Sequence, residues 1–281
     1  IENNLQPNIY SLQVLDEIIR AAEAKGLEHL PVHIKIDSGM HRLGFYREDM
    51  PALIQRLQSQ KAVRVASVFS HLAGSDEPQF DAFTHEQAAY FKECANSLLP
   101  IVNSPSPLLH ICNTAGIERF PEYHFDMCRL GIGMYGFSFL RTPDTGCRIP
   151  DTRNVCTLKT TILSIKTVPA GSTIGYGRHT TLTEDRQIAV IPIGYADGFD
   201  RRFSNYGGEV LVRGKRCPVV GNVCMDQAMI DVTGADARVG DYAIIFGDKL
   251  PIQELADKLN TISYEVLTSI SRRVQRVYFY E

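Results

Sequence analysis

From the N-terminus to about residue 140, helical and strand-like patterns alternate, and each strand-like segment gives way to a loop at a polar or ionisable side chain. Such alternation is typical of βα units that form a parallel sheet. In a (β/α) barrel, the active site lies at the carboxyl ends of the strands. The pattern therefore predicts a barrel whose site residues follow four strands. These residues are Lys35 and Asp37, then His71, then His110 and Asn113, then Arg129.

A closed barrel needs eight strands, and this part of the chain shows only four clear ones. The predicted strands are 32–37, 63–70, 108–113 and 125–130, with a weak candidate at 9–10. The predicted helices are 11–25, 47–60 and 84–98, the last opened by a capping box of Thr84 and Gln87. We therefore expect about three further βα units, on the order of 100 residues, upstream of Ile1.

After about residue 145 the chain changes to short β-rich runs separated by turn-forming residues, which predicts a mostly β second domain. We place the boundary in the loop-like stretch around Pro143, Gly146 and Pro150, so that residues 1–143 form an incomplete (β/α) barrel and residues 144–281 a β-rich domain. One helix is predicted near 252–259. The β-rich runs of this domain are 155–168, 187–193, 209–212, 217–219, 228–232 and 242–246.

Composition narrows the range of partners. A net charge of −3 and a pI near 6.3 give no electrostatic footprint for nucleic acid or an anionic membrane, so small molecules and copies of the chain itself are the expected partners. Seven cysteines without a C-x-x-C pair indicate neither a disulfide framework nor a thiolate metal site, and they fit the reducing cytoplasm. No apolar stretch is long enough to span a membrane, and no signal peptide precedes Ile1.

Several short segments carry more chemistry than their turns require. In the segment 33–44, apolar residues alternate with Lys35 and Asp37, and a glycine-containing turn follows with Arg42. Taken singly, each segment has an ordinary explanation as a turn, a core filler or a satisfied polar residue. The other segments are 110–115, 129–136, 175–177, 194–198, 221–227 and 262–265.

In this order, the segments resemble the pyridoxal-phosphate (PLP) alanine racemases, whose signature Lys-x-Asp-Ser/Thr-Gly-Met-x-Arg-Leu-Gly matches the residues from Lys35 to Gly44. The resemblance runs from about Leu5 to the C-terminus. It implies a partial (β/α)8 TIM-type barrel followed by a mostly β domain. It also implies a cytoplasmic bacterial isomerase that interconverts L- and D-alanine through a PLP aldimine by a two-base mechanism, supplies D-alanine for peptidoglycan of the cell wall, and acts as a homodimer with shared active sites.

The resemblance also implies catalytic roles. Tyr176 matches the second catalytic base, which acts in the active site of the partner subunit. Because the ordinary pKa of tyrosine is near ~10, such a base needs a polar network, which His71 and Arg129 would supply. Arg129 would also donate to the PLP ring nitrogen without giving up its proton, which favours proton return over transamination.

Binding roles follow in the same way. Arg42 and Met225 match the substrate-binding positions, with Arg42 near the carboxylate, and Lys35 matches a lysine that is carbamylated in many relatives. The positions that match the phosphate-binding residues are Thr114, Gly131, Ile132 and Tyr264.

One family motif is absent. The cofactor lysine lies in a segment of the type Val-x-Lys-Ala-Asn-Ala-Tyr-Gly-His-Gly, and none of the nine lysines of this chain has those neighbours. We expect that lysine upstream of Ile1, which makes the sequence the C-terminal three-quarters of a racemase and inactive as it stands. Fusion to an upstream Mur ligase, as in some relatives, would account for an internal starting point.

Two other functions stay open at this point. A PLP decarboxylase of the same fold would act on a basic amino acid, and analysis of the product would distinguish it. A non-catalytic role in dimerisation or cofactor docking is compatible with the missing lysine, and the coding sequence upstream of Ile1 would decide. The sequence also leaves open whether serine is accepted beside alanine.

Overall fold

The computed structural model describes residues 1–102, 106–139 and 154–279. The chain divides into two compact units, residues 1–153 and 154–281. The predicted boundary after residue 143, with Pro143, Gly146 and Pro150, lies outside the described residues and stays a prediction.

The first unit is a four-stranded parallel sheet in the order β1-β2-β3-β4, with helices between successive strands. Four consecutive βα units in sequential order are the arrangement of half of a (β/α)8 barrel. The strands are β1 (Asn8–Ile9), β2 (Leu30–Lys35), β3 (Val63–Phe69) and β4 (Leu108–His110). The helices are α1 (Leu12–Ala24), α2 (Met50–Gln58), α3 (Asp81–Leu98) and α4 (Thr114–Arg119).

The two faces of this sheet differ in polarity. Ile34 of β2 is fully buried against the helices with Leu15 of α1 and Leu53 of α2. Because side chains alternate along a strand, His33 and Lys35 lie on the opposite face. The hydrophobic core is therefore on the helix side, and the other face carries the polar residues.

A register shift between β2 and β3 extends this polar face. Val32 pairs with Val65, but His33 pairs with Ser67, so Ala66 is an extra residue in β3. A bulge of this kind sends the following side chains to the other face of the strand. As a result, Val68 packs with the helix-side core, and Ser67 lies beside His33.

The predicted start of α3 and the predicted strand over 125–130 are wrong. Helix α3 starts at Asp81 because a 3-10 turn over Pro78–Phe80 leads into it, so Thr84 and Gln87 lie inside the helix and form no capping box. The Gln87 side chain instead accepts a hydrogen bond from the Ala73 N–H at 2.9 Å.

Residues 125–130 form no strand. Phe125 has a φ of +48°, which interrupts an extended conformation. The segment nevertheless runs beside β4, because the Asp126 N–H donates to the Leu109 carbonyl at 3.1 Å and the Arg129 N–H donates to the Cys112 carbonyl at 3.0 Å. Arg129 therefore still lies at the carboxyl end of β4.

The second unit is mostly β, as predicted. Seven strands form an antiparallel sheet in the order β5-β13-β10-β11-β12-β9-β6, and β7 pairs with β8. Its core contains Val210, Val219 and Ile230, all fully buried. The strands are β5 (Leu158–Thr161), β6 (Ser164–Val168), β7 (Thr173–Ile174), β8 (Thr180–Thr181), β9 (Arg186–Ile191), β10 (Glu209–Val212), β11 (Lys215–Val220), β12 (Ala228–Asp231) and β13 (Tyr242–Phe246). The helices are α5 (Ile252–Leu259), as predicted, and α6 (Ser263–Ser269), which the sequence did not indicate. Within the described ranges, no helix has the length and apolar character needed to cross a bilayer.

Candidate active site

The carboxyl ends of β2, β3 and β4 meet around the ring of Phe69. Lys35 pairs with Phe69, and Phe69 pairs with His110. The Lys35 Nζ atom lies 5.8 Å and the Arg129 Cζ atom 5.4 Å from the Phe69 ring centroid, and the His110 ring stacks on it at 5.0 Å. The structure thus brings together three residues that the sequence predicted. Phe69 itself was missed, since an aromatic residue at a strand end looks like core.

Arg129 is held by four hydrogen bonds. Its Nη1 atom donates to His110 Nδ1, and the two hydrogens of its Nη2 atom are shared among three acceptors, the Ser70 carbonyl at 2.6 Å, the Ile111 carbonyl at 3.1 Å and His71 Nδ1 at 3.2 Å. Since a guanidinium only donates, both histidines accept at Nδ1 and carry their proton on Nε2. The Arg129 Nε–H has no acceptor among the residues that the structure describes.

Both histidines stay neutral near pH 7. Burial, followed by the positive charge of Arg129, lowers the pKa of His71 to about 4 and the pKa of His110 to about 4. Arg42 and Lys35 add smaller contributions at His71. Burial also lowers the pKa of the Arg129 guanidinium, which nevertheless stays protonated.

Lys35 is an unusual cation for this position. Its residue is only 8% exposed, and within the described part of the chain its Nζ atom has neither a hydrogen-bond acceptor nor an ion pair. Its pKa is lowered by burial and by the charges of Arg42 and Arg129, against an opposing effect of Asp37. Asp37 does not pair with it; the Asp37 Oδ1 atom accepts from the Gly39 and His41 N–H groups at 3.0 and 2.9 Å.

The turn after β2 requires glycine, and a pair of serines connects it to the end of β3. A Cβ atom on Gly44 would lie 2.5 Å from the Asp37 nitrogen, at a φ of +134°. The Ser70 hydroxyl donates to the Ile36 carbonyl at 2.8 Å and accepts from the Ser38 hydroxyl at 2.7 Å. Ser70 therefore connects the ends of β2 and β3 next to Arg129, a role that its sequence context did not reveal. Arg42, in the same turn, is exposed and has no side-chain partner among the described residues.

A hydroxyl and several backbone N–H groups gather at Thr114. Asn113 caps α4, with its Oδ1 atom accepting from the Gly116 N–H at 2.9 Å, so Asn113 has a structural role. The Thr114 Oγ1 atom accepts from the N–H groups of Gly131 and Gly133 at 3.0 and 3.3 Å. A Cβ atom on Gly133 would lie 2.9 Å from Thr114 Cγ2, so this close approach of the loop requires glycine. Ile132, between the two glycines, is buried.

The second unit contains a pocket of about 390 Å³ that includes two of the predicted site residues, Tyr176 and Met225. Both are exposed, Tyr176 at 75% and Met225 at 58%. The remaining lining residues, of which the sequence had singled out none individually, are Tyr195, Arg201, Asn222, Val223, Cys224 and Asp226.

Tyr176 is fixed through its backbone. The Asn222 Nδ2 atom donates to the Tyr176 carbonyl at 2.8 Å, and the flanking Gly175 and Gly177 have φ values of +69° and +76°. A Cβ atom on Gly175 would lie 2.8 Å from Met229 Cε. The backbone thus holds the position of Tyr176 and leaves its phenol exposed.

Two of the glycine-rich segments pack on each other beside this pocket. The Tyr195 N–H donates to the Cys224 carbonyl at 3.1 Å, and the Ala196 N–H donates to the Met225 carbonyl at 2.9 Å. A Cβ atom on Gly194 would lie 2.3 Å from the Cys224 carbonyl oxygen, so this contact also requires glycine. The remaining predicted residue, Tyr264, lies in the first turn of α6 and is partly exposed.

Comparisons with known proteins cover both units. Residues 1–139 match the family model "Alanine racemase, N-terminal domain", and residues 155–278 match "Alanine racemase, C-terminal domain". Alanine racemase 1 of Oceanobacillus iheyensis is 37% identical over 99% of this chain and 74% of its own length. The alanine racemase of Methanococcus maripaludis is 36% identical over 100% of this chain and 75% of its own length.

Solved structures give the same result. An alanine racemase from Clostridium difficile 630 superposes with a TM-score of 0.88 at 37% identity, over 99% of this chain and 72% of that one. The alanine racemase from Bartonella henselae with covalently bound pyridoxal phosphate gives a TM-score of 0.86 at 27% identity, over 99% of this chain and 74% of that one. These likenesses confirm the predicted fold class, a partial (β/α)8 barrel followed by a mostly β domain. The chain therefore belongs to the alanine racemase family, PLP-dependent isomerases that interconvert the enantiomers of alanine.

Proposed function

We propose that Tyr176 moves the α-proton on one face of alanine, and that a second copy of the chain brings Tyr176 to the group formed by Lys35, His71 and Arg129. The observation that carries this proposal is the placement of Tyr176. The residue is three-quarters exposed in a pocket shared with Met225, while its backbone is held between two glycines. A proton-transfer group needs this combination of a fixed position and an accessible hydroxyl.

The residues of the first unit fit PLP. The Arg129 Nε–H, which has no acceptor in the described ranges, can donate to an aromatic ring nitrogen, and a guanidinium does so without giving up its proton. The hydroxyl proton of Thr114 and the backbone N–H group of Ile132 are suited to a phosphate, with Tyr264 as a further hydroxyl. Gly131, whose N–H donates to Thr114 Oγ1, fixes the position of that hydroxyl. When bound, PLP withdraws electrons from the alanine Cα atom and so makes its proton removable.

We assign to His71 the role of assisting Tyr176. A phenol with an ordinary pKa near ~10 keeps its proton at neutral pH. It can accept a proton only if a donor stabilises its ionised form. His71 accepts from Arg129 at Nδ1, which leaves an Nε2–H to donate to the Tyr176 oxygen. Because the imidazole is neutral, it stabilises the phenolate by a hydrogen bond without becoming a competing acid.

Arg42 and Lys35 are assigned to the substrate carboxylate. The exposed guanidinium of Arg42, without a partner among the described residues, can form a bidentate pair with a carboxylate. Carbamylation of Lys35 would replace a buried cation by an anion and would turn repulsion of Arg42 into attraction. The lowered pKa of Lys35 favours the neutral amine that this modification requires.

In the cell, the proposed enzyme is a homodimer in the bacterial cytoplasm that supplies D-alanine to peptidoglycan synthesis. Its support is the family membership together with a net charge that favours neither nucleic acid nor an anionic membrane.

Subunit mixing tests the shared site. The test uses a polypeptide that contains these 281 residues together with a segment that carries the cofactor lysine. We call this polypeptide the active racemase. Tyr176→Phe and Arg129→Gln should each abolish most activity as homodimers. After subunit exchange, the mixture should regain roughly a quarter of wild-type activity, since half of the dimers are mixed and each of these has one intact site. If exchange is demonstrated by native mass spectrometry and no activity returns, the two residues do not act across subunits.

A further inference from the structure

A chain of hydrogen bonds leads from Arg129 through the polar face of the sheet. Beyond His110, which accepts from Arg129 at Nδ1, the Nε2 atom of His110 lies 3.1 Å from the Ser67 Oγ atom. The Ser67 Oγ atom lies 2.6 Å from His33 Nδ1, and His33 Nε2 lies 2.9 Å from Gln6 Oε1. Three neighbouring strands, β2, β3 and β4, each contribute one member to this chain.

The direction of every hydrogen bond follows from Arg129. Because arginine can only donate, His110 accepts at Nδ1 and donates from Nε2 to Ser67. The Ser67 hydroxyl, having accepted, donates its own proton to His33 Nδ1. His33 then donates from Nε2 to Gln6. His110, Ser67 and His33 each donate and accept, so each polar atom of the two rings and the hydroxyl is satisfied.

The fold leaves His110 no other arrangement. His110 is 4% and Ser67 1% exposed, so water does not replace Ser67 as the acceptor for His110 Nε2–H. The ring of Phe69 stacks on His110 at an interplanar angle of 9°, which restricts tilting of the imidazole. Ser67 reaches this face only because the extra residue Ala66 shifts the register of β3.

We propose that Ser67 and His33 are positioning residues, which hold His110 in the Nε2–H tautomer and thereby present its Nδ1 lone pair to Arg129. Neither residue needs to touch substrate or cofactor. Their effect passes through His110 to the orientation of the guanidinium, and its consequence for catalysis rests on the proposed role of Arg129. Removal of the Ser67 hydroxyl leaves the His110 Nε2–H buried without an acceptor, a state that favours the other tautomer or a rotated ring.

Imidazole NMR of the 281-residue chain, without cofactor, tests the proposal directly. With ¹⁵N-labelled histidine, long-range correlations should show His110 and His33 with a protonated Nε2 and an unprotonated Nδ1 atom. In Ser67→Ala, His110 should become a mixture of tautomers, and the hydrogen-bonded shift of His33 Nδ1 should disappear. Ser67→Thr keeps the hydroxyl and should keep the wild-type pattern.

Thr84→Val is the matched control, since Thr84 is a buried hydroxyl in the same unit whose Oγ1 atom has no partner within the described ranges. It should leave the imidazole spectrum unchanged. A wild-type His110 with its proton on Nδ1, or a His110 pattern that Ser67→Ala does not alter, would overturn the proposal. The wild-type tautomer decides the question even if Ser67→Ala does not fold.

Kinetics of the active racemase separate this inference from the proposed function. Ser67→Ala should lower kcat about tenfold, the size expected when one buried hydrogen bond is lost, and should leave KM for alanine nearly unchanged. A changed tautomer with an unchanged kcat would support the positioning of His110 and overturn the proposed role of Arg129. An unchanged tautomer would overturn the positioning role whatever the kinetics.

Discussion

The Lys35 Nζ atom lies 5.8 Å from the centroid of the Phe69 ring, and in the described part of the chain no carboxylate pairs with it. An aromatic face attracts a cation only weakly compared with an ion pair. Two arginines nearby and burial act in the opposite direction and lower the pKa of Lys35. The site thus holds an amine that is more readily deprotonated than a surface lysine, next to Arg42, which has no side-chain partner among the described residues.

We expect Lys35 to react with carbon dioxide. Carbamylation needs the neutral amine, and the product would pair with Arg42 instead of repelling it. In the presence of ¹³C-bicarbonate, a carbamate resonance should appear in ¹³C NMR of the wild-type protein and be absent in Lys35→Ala. Lys61→Ala, which removes an exposed lysine of the same unit, should retain it. A resonance that persists in Lys35→Ala would place the carbamate elsewhere.

The lowered pKa of His71 predicts a loss of stability in mild acid. The unfolded chain takes up a proton at His71 as the pH falls through about 6.5, whereas the folded chain does so only near a pH of about 4. The folded state therefore becomes less stable as the pH falls between these values, and this contribution is fully recovered above 6.5. The effect of one histidine should be on the order of 2 kcal/mol, reduced for partial solvent exposure.

Urea unfolding of wild type and His71→Gln at several pH values between 4 and 7 measures this effect. The difference in unfolding free energy between the two proteins should shift in favour of His71→Gln as the pH is lowered. His29→Gln, at an exposed histidine of the same unit, should follow the wild type. Parallel curves for wild type and His71→Gln would show that the folded state does not lower the pKa of His71.

The parts of the fold that local sequence determines were predicted well. The bounds of α5, β10 and β13 agree with the structure, and Ser11 caps α1 by accepting from the Val14 N–H at 3.3 Å. Periodicity and capping residues act within a few positions, so they can be recognised in a single sequence.

The errors have long-range causes. The segment 125–130 has the composition of a strand, but Phe125 adopts a positive φ where the segment packs beside β4. For the same reason, the sequence identified the charged residues at strand ends and missed Phe69, Ser67 and Ser70. The bulge at Ala66 and the pairing of three strands give these residues their places, and neither feature has a local signal.

The 281-residue chain alone should show no racemase activity, because none of its nine lysines lies in the family's cofactor-lysine motif. Incubation with PLP and either enantiomer of alanine should produce the other enantiomer no faster than free PLP does, as measured by chiral chromatography. Turnover at an enzymatic rate would mean that another lysine has taken the role. Lysine-to-alanine variants, tested one at a time, would then identify it.

Thr114→Val in the active racemase should weaken the binding of PLP more than the binding of pyridoxal. The substitution removes a hydroxyl next to the Gly131 and Gly133 N–H groups and keeps the shape of the side chain. Loss of one hydrogen bond to a dianion should lower the affinity for PLP about tenfold. Pyridoxal, which has no phosphate, should bind with little change. Equal losses for both ligands in absorbance titrations would show that Thr114 supports the fold and does not bind the phosphate.

Tyr176→Phe in the active racemase provides the sharpest test of the proposed mechanism. The change removes one hydroxyl and keeps the ring, so packing should survive while proton transfer on one face of alanine is lost, typically a ~100-fold or larger effect. Under the proposed mechanism, Tyr176 serves L-alanine and the cofactor lysine serves D-alanine. In deuterated water, NMR should therefore show that D-alanine still exchanges its α-proton, whereas L-alanine exchanges at least ~100-fold more slowly than in wild type. Tyr278→Phe is the matched control, because Tyr278 is 76% exposed and lies in the same unit. If Tyr176→Phe slows both enantiomers equally, or neither, Tyr176 is not the second base.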